Sequence, residues 1–444
     1  MQIRRWLSYF VLLSLWVACL SCGQNYRLPI IPIPGDPGDP KLYHFAMTIN
    51  TTNPIVNANV PGTAMQIDVV GDSDVGEALI GRGPIYATLL PTGAANRIYV
   101  ANRREDTVTT TTAAPQSCAP GPVCPMGTVS TITMPAGAAP SYLNSTESSN
   151  MYVILSGAPA AMPPILPSLG VISVFQNALT QQIPLSGNPV AMVELPNGHK
   201  LYVLDQANSV VYVFNTTSRV IEQTLAVGPS PTMALASSDS SAVYVMTSAG
   251  VTVIDSFTDT VIPGTLSTGG QPTAMAYDPK LLRLYVTDVA GGLGVFDASV
   301  AGGSLPTTLI VEPAGTFPTA IGIAPLPDGS RFYILTNPSG TSLQLTDVSK
   351  TFAVGSPIPL DQLNPGGTPV AAVPQTCPAV GRYRYMVGAS ADSGRVYVSS
   401  CDAGGTYILP TSNDTPLLLL TSPGQPPFTG AVIPQNPVFL ITGR

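Results

Sequence analysis

The stretch GPSPTMALASSDSSAVYVMTSAGVTVIDSFTDTVIPGTLSTGGQPTAMAYDPKLLRLYVTD (residues 228–288) sets out one pattern and then begins it again. A Gly/Pro opening ends at Pro231 and recurs at Pro272. A Tyr-Val pair follows at Tyr244 and again at Tyr285. Between them lie four short apolar runs, read as strands at Thr232–Ala236, Ala242–Thr247, Val251–Asp255 and Val261–Leu266. The run Val251-Thr252-Val253-Ile254 alternates with period two, as a half-buried strand requires. A Ser/Asp turn separates the first two runs. Asp255 follows the third, with Asn215 and Asp297 at the matching places on either side. Such residues cap tight turns by bonding their own backbone.

Working outward, the Tyr anchor recurs at Tyr99, Tyr152, Tyr202, Tyr244, Tyr285, Tyr333 and Tyr397. A Gly-x-x-Pro or near variant precedes most of them, at Pro84, Pro140, Pro189, Pro231, Pro272 and Pro318. A four-strand unit repeating every ~42 residues is the signature of a propeller blade. One blade cannot bury both faces of its sheet, whereas stacking around a ring does. Composition agrees. Only 10% of the 444 residues are charged, 45% are hydrophobic, and Gly (41) and Pro (46) are abundant, which suits short strands joined by tight turns rather than long helices. The expected fold is an all-β propeller of seven to eight four-stranded blades, with eight favoured by counting anchors. The N- and C-terminal strands would close the ring. Phe428–Ile433 and Pro437–Thr442 would supply two strands of the closing blade, and Ala64–Val70 with Gly76–Gly81 its third and fourth.

The pattern Gly-x-x-Pro, Tyr-Val-x-[Asn/Asp/Thr], Val-x-Val-[Ile/Phe]-[Asp/Asn] resembles the YVTN-repeat β-propeller family. Tyr99-Val-Ala-Asn102 and Tyr285-Val-Thr-Asp288 carry the likeness most directly. The resemblance runs over about residues 84 to 444 and implies the fold. It says little about activity, because one fold hosts many functions.

The N-terminus reads as an address. Arg4 and Arg5 precede an apolar run from Trp6 to Leu20, the layout of a secretory signal peptide. The run ends in Cys19-Leu20-Ser21-Cys22-Gly23, which resembles a bacterial lipobox with Cys22 as the lipidated residue. The alternative is an ordinary cleaved signal with incidental cysteines. Residues 1–21 are thus expected to be a leader and 22–42 a Pro-rich, semi-rigid tether. Residues 43–444 would form one propeller domain. This places the protein outside the cytoplasm, periplasmic or at the outer membrane or cell surface, with the membrane as a partner through the lipid. In that oxidising setting Cys118 and Cys124 can close a small loop, leaving Cys377 and Cys401 to pair by elimination. Three connectivities are possible in principle. The net charge of −7 gives no footprint for nucleic acid.

Chemistry-bearing motifs are sparse. The two histidines, His44 and His199, are far apart in sequence, and no nucleophile elbow, zinc-protease or phosphate-loop motif stands in a suitable setting. No metal and no cofactor is expected, beyond a divalent cation under one reading of the channel. Asn102, Asp205 and Asp288 stand three residues after their Tyr anchors, where Thr247, Thr336 and Ser400 match and Leu155 departs. Equivalent positions in successive blades form a ring near one channel mouth. Capping of strand ends is one account of it, and a ligand- or cation-binding ring is the other. Three function classes follow. The first is a non-enzymatic binding or scaffolding module at the cell envelope, recognising a protein or small ligand through a face or through the insertions Asp106–Met126 and Pro369–Tyr383. The second is a lactonase-like hydrolase with a divalent cation in the channel. The third is a member of a periplasmic redox or secretion complex, with any redox group on a partner, since the chain has no Cys-x-x-Cys-His motif.

Overall fold

The computed structural model describes residues 45–51, 59–69, 72–92, 95–112, 129–146, 149–299, 303–338, 342–360, 384–421 and 435–442. In these, eight antiparallel sheets of four strands each form an eight-bladed propeller. The chain opens with β1 (Phe45–Thr51), β2 (Thr63–Asp68) and β3 (Ser73–Leu79). Blade 1 is β4 (Pro84–Thr92), β5 (Ala95–Asn102), β6 (Thr107–Thr112) and β7 (Ser130–Thr133). Blade 2 is β8 (Pro140–Asn144), β9 (Asn150–Leu155), β10 (Ser168–Ser173) and β11 (Ala178–Pro184). Blade 3 is β12 (Pro189–Glu194), β13 (Lys200–Asp205), β14 (Val210–Asn215) and β15 (Val220–Ala226). Blade 4 is β16 (Met233–Ala236), β17 (Ala242–Thr247), β18 (Gly250–Asp255) and β19 (Thr260–Val261). Blade 5 is β20 (Pro272–Asp278), β21 (Arg283–Asp288), β22 (Leu293–Asp297) and β23 (Thr307–Glu312). Blade 6 is β24 (Ala320–Pro325), β25 (Arg331–Thr336), β26 (Gln344–Ser349) and β27 (Ile358–Pro359). Blade 7 is β28 (Tyr385–Ala389), β29 (Arg395–Ser400), β30 (Gly405–Pro410) and β31 (Leu418–Thr421), and β32 (Asn436–Thr442) ends the described chain.

Blade 8 is composite, in the order β32-β1-β2-β3. This corrects the expected closure in one respect. The third and fourth strands are those foreseen, but the second is β1, from the N-terminal side, so closure is one strand plus three. Phe428–Ile433 lies outside the described residues. A polar seam reinforces the join: Thr63 donates its hydroxyl to Gln435 Oε1 (2.9 Å), whose amide in turn donates to the Pro61 carbonyl (3.0 Å).

Burial falls off radially, which explains the pattern of the runs. Middle strands such as β9 and β18 are buried along their whole length, packed between neighbouring blades. Outer strands such as β15 alternate toward solvent. The seven anchor tyrosines are each less than 2% exposed. They cement blade to blade: Tyr152 meets Phe214 edge-on at 5.8 Å, and Tyr285 stacks on Phe332 at 4.2 Å. Buried aromatics in such pairs contribute about 0.5–1.5 kcal/mol beyond their area. In blade 8 the matching position is Met47, fully buried against Ile98 and Val100 of blade 1, and its neighbour Thr48 is fully buried with no partner for its hydroxyl.

A second blade-to-blade device sits on the lower face, where each third strand turns into the fourth. Residues at these turns take positive φ, among them Asp72, Asn177, Arg219, Asp259, Phe352 and Asp414. Each is met by the preceding blade, through the residue two before its Tyr anchor or the turn backbone beside it. Lys200 pairs with Asp259 (2.7 Å), Arg331 with Asp414 (2.7 Å) and Arg395 with Asp72 (2.9 Å). Arg97 donates to the Val174 carbonyl, Arg283 lies over the Phe352 ring, and in blades 2 and 3 the roles reverse, with Arg219 donating to Asn150. Tyr202 and Tyr333 add hydroxyl bonds to Asp259 and Asp414 (2.7 and 2.6 Å). Burial first, and the neighbouring carboxylate second, raises both phenols well above the usual tyrosine range.

Candidate functional site

The upper face carries the loops that lead from one blade to the next inner strand, and the turns between second and third strands. The ring expected from sequence lies here, at the ends of β5, β9, β13, β17, β21, β25 and β29. Register completes it with Asn50 near the end of β1, opposite Pro437 and donating to Thr63 Oγ1 (3.3 Å) as Asn102 does to Thr107. Asn102 faces Pro84, Asp205 faces Pro189 and Asp288 faces Pro272 across the innermost ladder. In each of these blades the inner strand then bulges by one residue, at Ile85, Val190 and Thr273. A bulge re-aims its side chain and tightens the local twist. These residues are half-buried at the inner edge, where the free side of the strand borders the channel.

The ring side chains work on the backbone. Asp205 is fully buried. Its Oδ1 accepts the amide N–H of Asn188 (2.9 Å), Ala207 (3.1 Å) and Asn208 (3.2 Å). Its Oδ2 accepts the Asn208 side-chain amide (2.6 Å) and the Tyr212 hydroxyl (2.9 Å). Burial alone would raise its pKa. The hydrogen bonds from Asn188, Asn208 and Tyr212 outweigh burial and hold the carboxyl below the usual range. Gly187, at φ +66°, lets the incoming loop pass: a Cβ there would come within 2.2 Å of the Asp205 carboxylate. Asp288 accepts from Ala290 and Gly292 (both 2.9 Å). Thr247 donates to the Gly250 carbonyl (2.9 Å). Asn102 donates to Thr107 and Thr109 (3.1 and 2.8 Å), and its Oδ1 is buried without a partner. The three residues thus share one end of the ring, each closing its own turn. A cation at Asp205 would have to displace five donors, so this donor set does not fit a metal centre. Among the described residues, no three His, Cys, Asp or Glu side chains stand close enough to hold a metal ion.

Two features of this face have no counterpart in the sequence reading. Blade 7 begins with Tyr385 opposite Ser400, where blades 1, 2, 3 and 5 place proline. Tyr385 hydrogen-bonds Asp402, which also takes Arg384 Nε (2.7 Å), and the Arg384 guanidinium lies over the Tyr385 ring. Burial, then the bond to Asp402, pushes this phenol up to about 12. The missing Gly-x-x-Pro before Tyr397 was the available signal. The second feature is an aromatic stack on three successive inner strands. Tyr86 lies between Tyr142 (4.0 Å) and Phe439 (4.4 Å), while Ala191, Ala274 and Gly322 hold the corresponding place elsewhere in the ring.

Of the remaining expected residues, Cys22, Cys118, Cys124, Cys377 and the tether lie outside the described residues. Cys401 is buried and disulfide-bonded. His199 is exposed on a lower-face turn. The span Asp106–Met126 is an insertion only in part. Asp106 caps the next blade's loop through Gly137 and Ala139 (both 2.7 Å), and Thr107–Thr112 is strand β6. Residues 113–128 and 361–383 lie outside the described set.

No family model matches the chain, and no protein of curated function does. Solved structures do. The dihydro-heme d1 dehydrogenase NirN matches at TM-score 0.58 and 13% identity, over 89% of this chain and 77% of that one. A 6-phosphogluconolactonase candidate from Bacteroides fragilis matches at TM-score 0.51 and 13% identity, over 74% of this chain and 96% of that one. Identities this low establish a shared propeller fold.

Proposed function

We propose that this protein is a non-enzymatic binding module of the bacterial cell envelope, tethered through a lipid on Cys22 and kin to the YVTN-repeat propellers. The repeated Tyr-Val and Gly-x-x-Pro elements support the kinship. The upper face would recognise a protein partner or a small ligand. One observation carries the reading: the ring acids there are engaged with turns, so what the face offers outward is its loops. The longest described one, residues 156–167, is pinned by an Ala158–Ile165 bridge and presents Met162 (99% exposed) and Leu166 (67%). Exposed apolar side chains on a pinned loop favour a partner over solvent. The lactonase-like reading shares only a fold with the B. fragilis protein, and Asp205 could bind a cation only by giving up its turn.

A photo-crosslinker at Met162 tests the reading in intact envelopes. The expected result is a discrete adduct that disappears in the Leu166→Asp background. No adduct, together with cation-dependent lactone hydrolysis by the purified protein, would overturn it. Cys22→Ala should release the protein from membranes. A wild type already freely soluble after export would remove the anchor.

A further inference from the structure

Apart from the upper face, the largest exposed apolar side chains stand together on the lower one. Phe175 is 97% exposed at the tip of the β10–β11 turn of blade 2. Val220, 50% exposed, opens β15 of blade 3, and Phe257, 72% exposed, tips the β18–β19 turn of blade 4. The three lie in successive blades whose turns are tied together, Gln181 donating to the Arg219 carbonyl and Gln223 to the Asp259 carbonyl. Single exposed apolar residues are ordinary, whereas several carried on neighbouring, tied turns of one face mark a contact surface.

These side chains are held outward. The turn bearing Phe257 is fixed at Asp259 by Lys200 and Tyr202, and its amide is bound by Asp255. The turn bearing Phe175 is fixed by Arg97 on the Val174 carbonyl and by Asn177 on Ser130. The backbone on which each ring is mounted is thereby fixed. At the equivalent turn tips of blades 6 and 7 the chain places Lys350 and Ser412, with Val354 (41% exposed) beside the former, while blade 3, whose tip is Thr217, contributes Val220 instead, so the two exposed rings fall in one sector of the described turns.

The occupant is indicated by where the chain enters. Phe45, the first residue of β1, pairs with Asp68 beside the lower-face turn that holds Asp72, so the N-terminal segment joins the propeller on the same face as the arc. We infer that the Phe175–Val220–Phe257 arc is a second membrane contact, seating the lower face on the lipid surface and turning the upper face outward. The inference rests on the proposed lipid at Cys22. Two rings and a valine would bind a bilayer weakly on their own. Attachment to the same membrane raises their effective concentration to the order of millimolar, at which weak interfacial contacts become populated. The acidic net charge offers no alternative attraction to anionic headgroups, which leaves the aromatic tips as the adhesive element.

The test uses full-length lipidated protein on vesicles of phosphatidylethanolamine and phosphatidylglycerol, with Cys22→Ala protein in the same suspension as reference. Hydroxyl-radical oxidation is read by mass spectrometry at Phe175, Phe257 and Met162. The expected result is roughly five-fold slower oxidation of both phenylalanines in the tethered protein, as insertion into the headgroup boundary demands, with Met162 unchanged. Equal rates in a protein that floats with the vesicles overturn the inference while leaving the anchor standing. Failure to float removes the anchor itself. Protection without vesicles assigns the arc to a second copy of the chain, and protection seen only in native envelopes assigns it to a protein partner. Either result overturns the lipid assignment.

Discussion

Arg395 grips Asp72 through two parallel hydrogen bonds, Nε to Oδ1 and Nη2 to Oδ2, both 2.9 Å, across 323 positions of chain. It joins blade 7 to the composite blade, at the lower end of the same closure that Thr63 and Gln435 secure above. Both side chains are partly shielded, at 23% and 11% exposure. Bidentate charge-assisted pairs of this kind are among the stronger polar contacts. Arg395→Ala should therefore destabilise the fold by about 1.5–3 kcal/mol. A double-mutant cycle with Asp72→Ala, followed by urea unfolding, checks it. A coupling energy near zero would show the pair to be ornamental.

Acid should loosen the upper ring at Asp205 and the lower-face β16–β17 turn at Asp239. Asp205 and Asp239 both hold folded-state pKa values below the ordinary carboxylate value, each against a desolvation that would raise it. Asp205 is held by Asn188, Asn208 and Tyr212, and Asp239 by Ser237 and Ser241. A depressed folded pKa contributes stability above the unfolded value of ~3.9 and loses it as pH falls through the folded one. Melting temperature should therefore drop steeply below about pH 4. Asp205→Asn should be less stable at neutral pH and show a shallower acid limb. Parallel acid limbs for variant and wild type would contradict this account.

Thr48 on β1 carries a buried, unpartnered hydroxyl. Valine has the same shape and no such oxygen, so Thr48→Val should stabilise the protein by about 1 kcal/mol, the typical cost of an unsatisfied buried polar group. Differential scanning calorimetry decides the sign. A lowered melting temperature would mean the hydroxyl has a function in the native state.

Cysteine pairing follows from the sequence reading. Peptide mapping without reductant should recover Cys118 joined to Cys124 and Cys377 joined to Cys401. A cross-pairing between the two sets would discard the elimination argument, and a free thiol at Cys377 would require another partner for Cys401.

Much of the fold was legible because a blade repeats its needs. Buried tyrosines at one ladder position recur in seven blades, and a proline opens the inner strand of blades 1, 2, 3 and 5. Phe45–Thr51 does not carry the repeat's marks for a physical reason: Met47 stands where the other blades place Tyr, and no Gly-x-x-Pro precedes it. The ring of Asn102, Asp205 and Asp288 was visible as residue types at a fixed offset. Its engagement was not, because the donors to Asp205 come partly from a loop that only folding brings alongside. The Lys200–Asp259 and Arg395–Asp72 latches were hidden likewise, since each partner belongs to a different blade. Tyr385 went unmarked because it departs from the repeat, and pattern matching discards departures.

The composite blade also orders events in time. During synthesis β1, β2 and β3 emerge first and then wait, with the inner edge of β1 unpaired, until the rest of the ring has been made. Closing a loop of several hundred residues in a flexible chain costs about 5 kcal/mol in entropy alone. Once seven blades stand, the two edges are already neighbours, and β32 slides into a prepared slot at nearly no such cost. The ring therefore shuts last. Its seam is the natural first place to part under heat or pulling force, and a chain cut short before Asn436 would leave the composite blade without its inner strand.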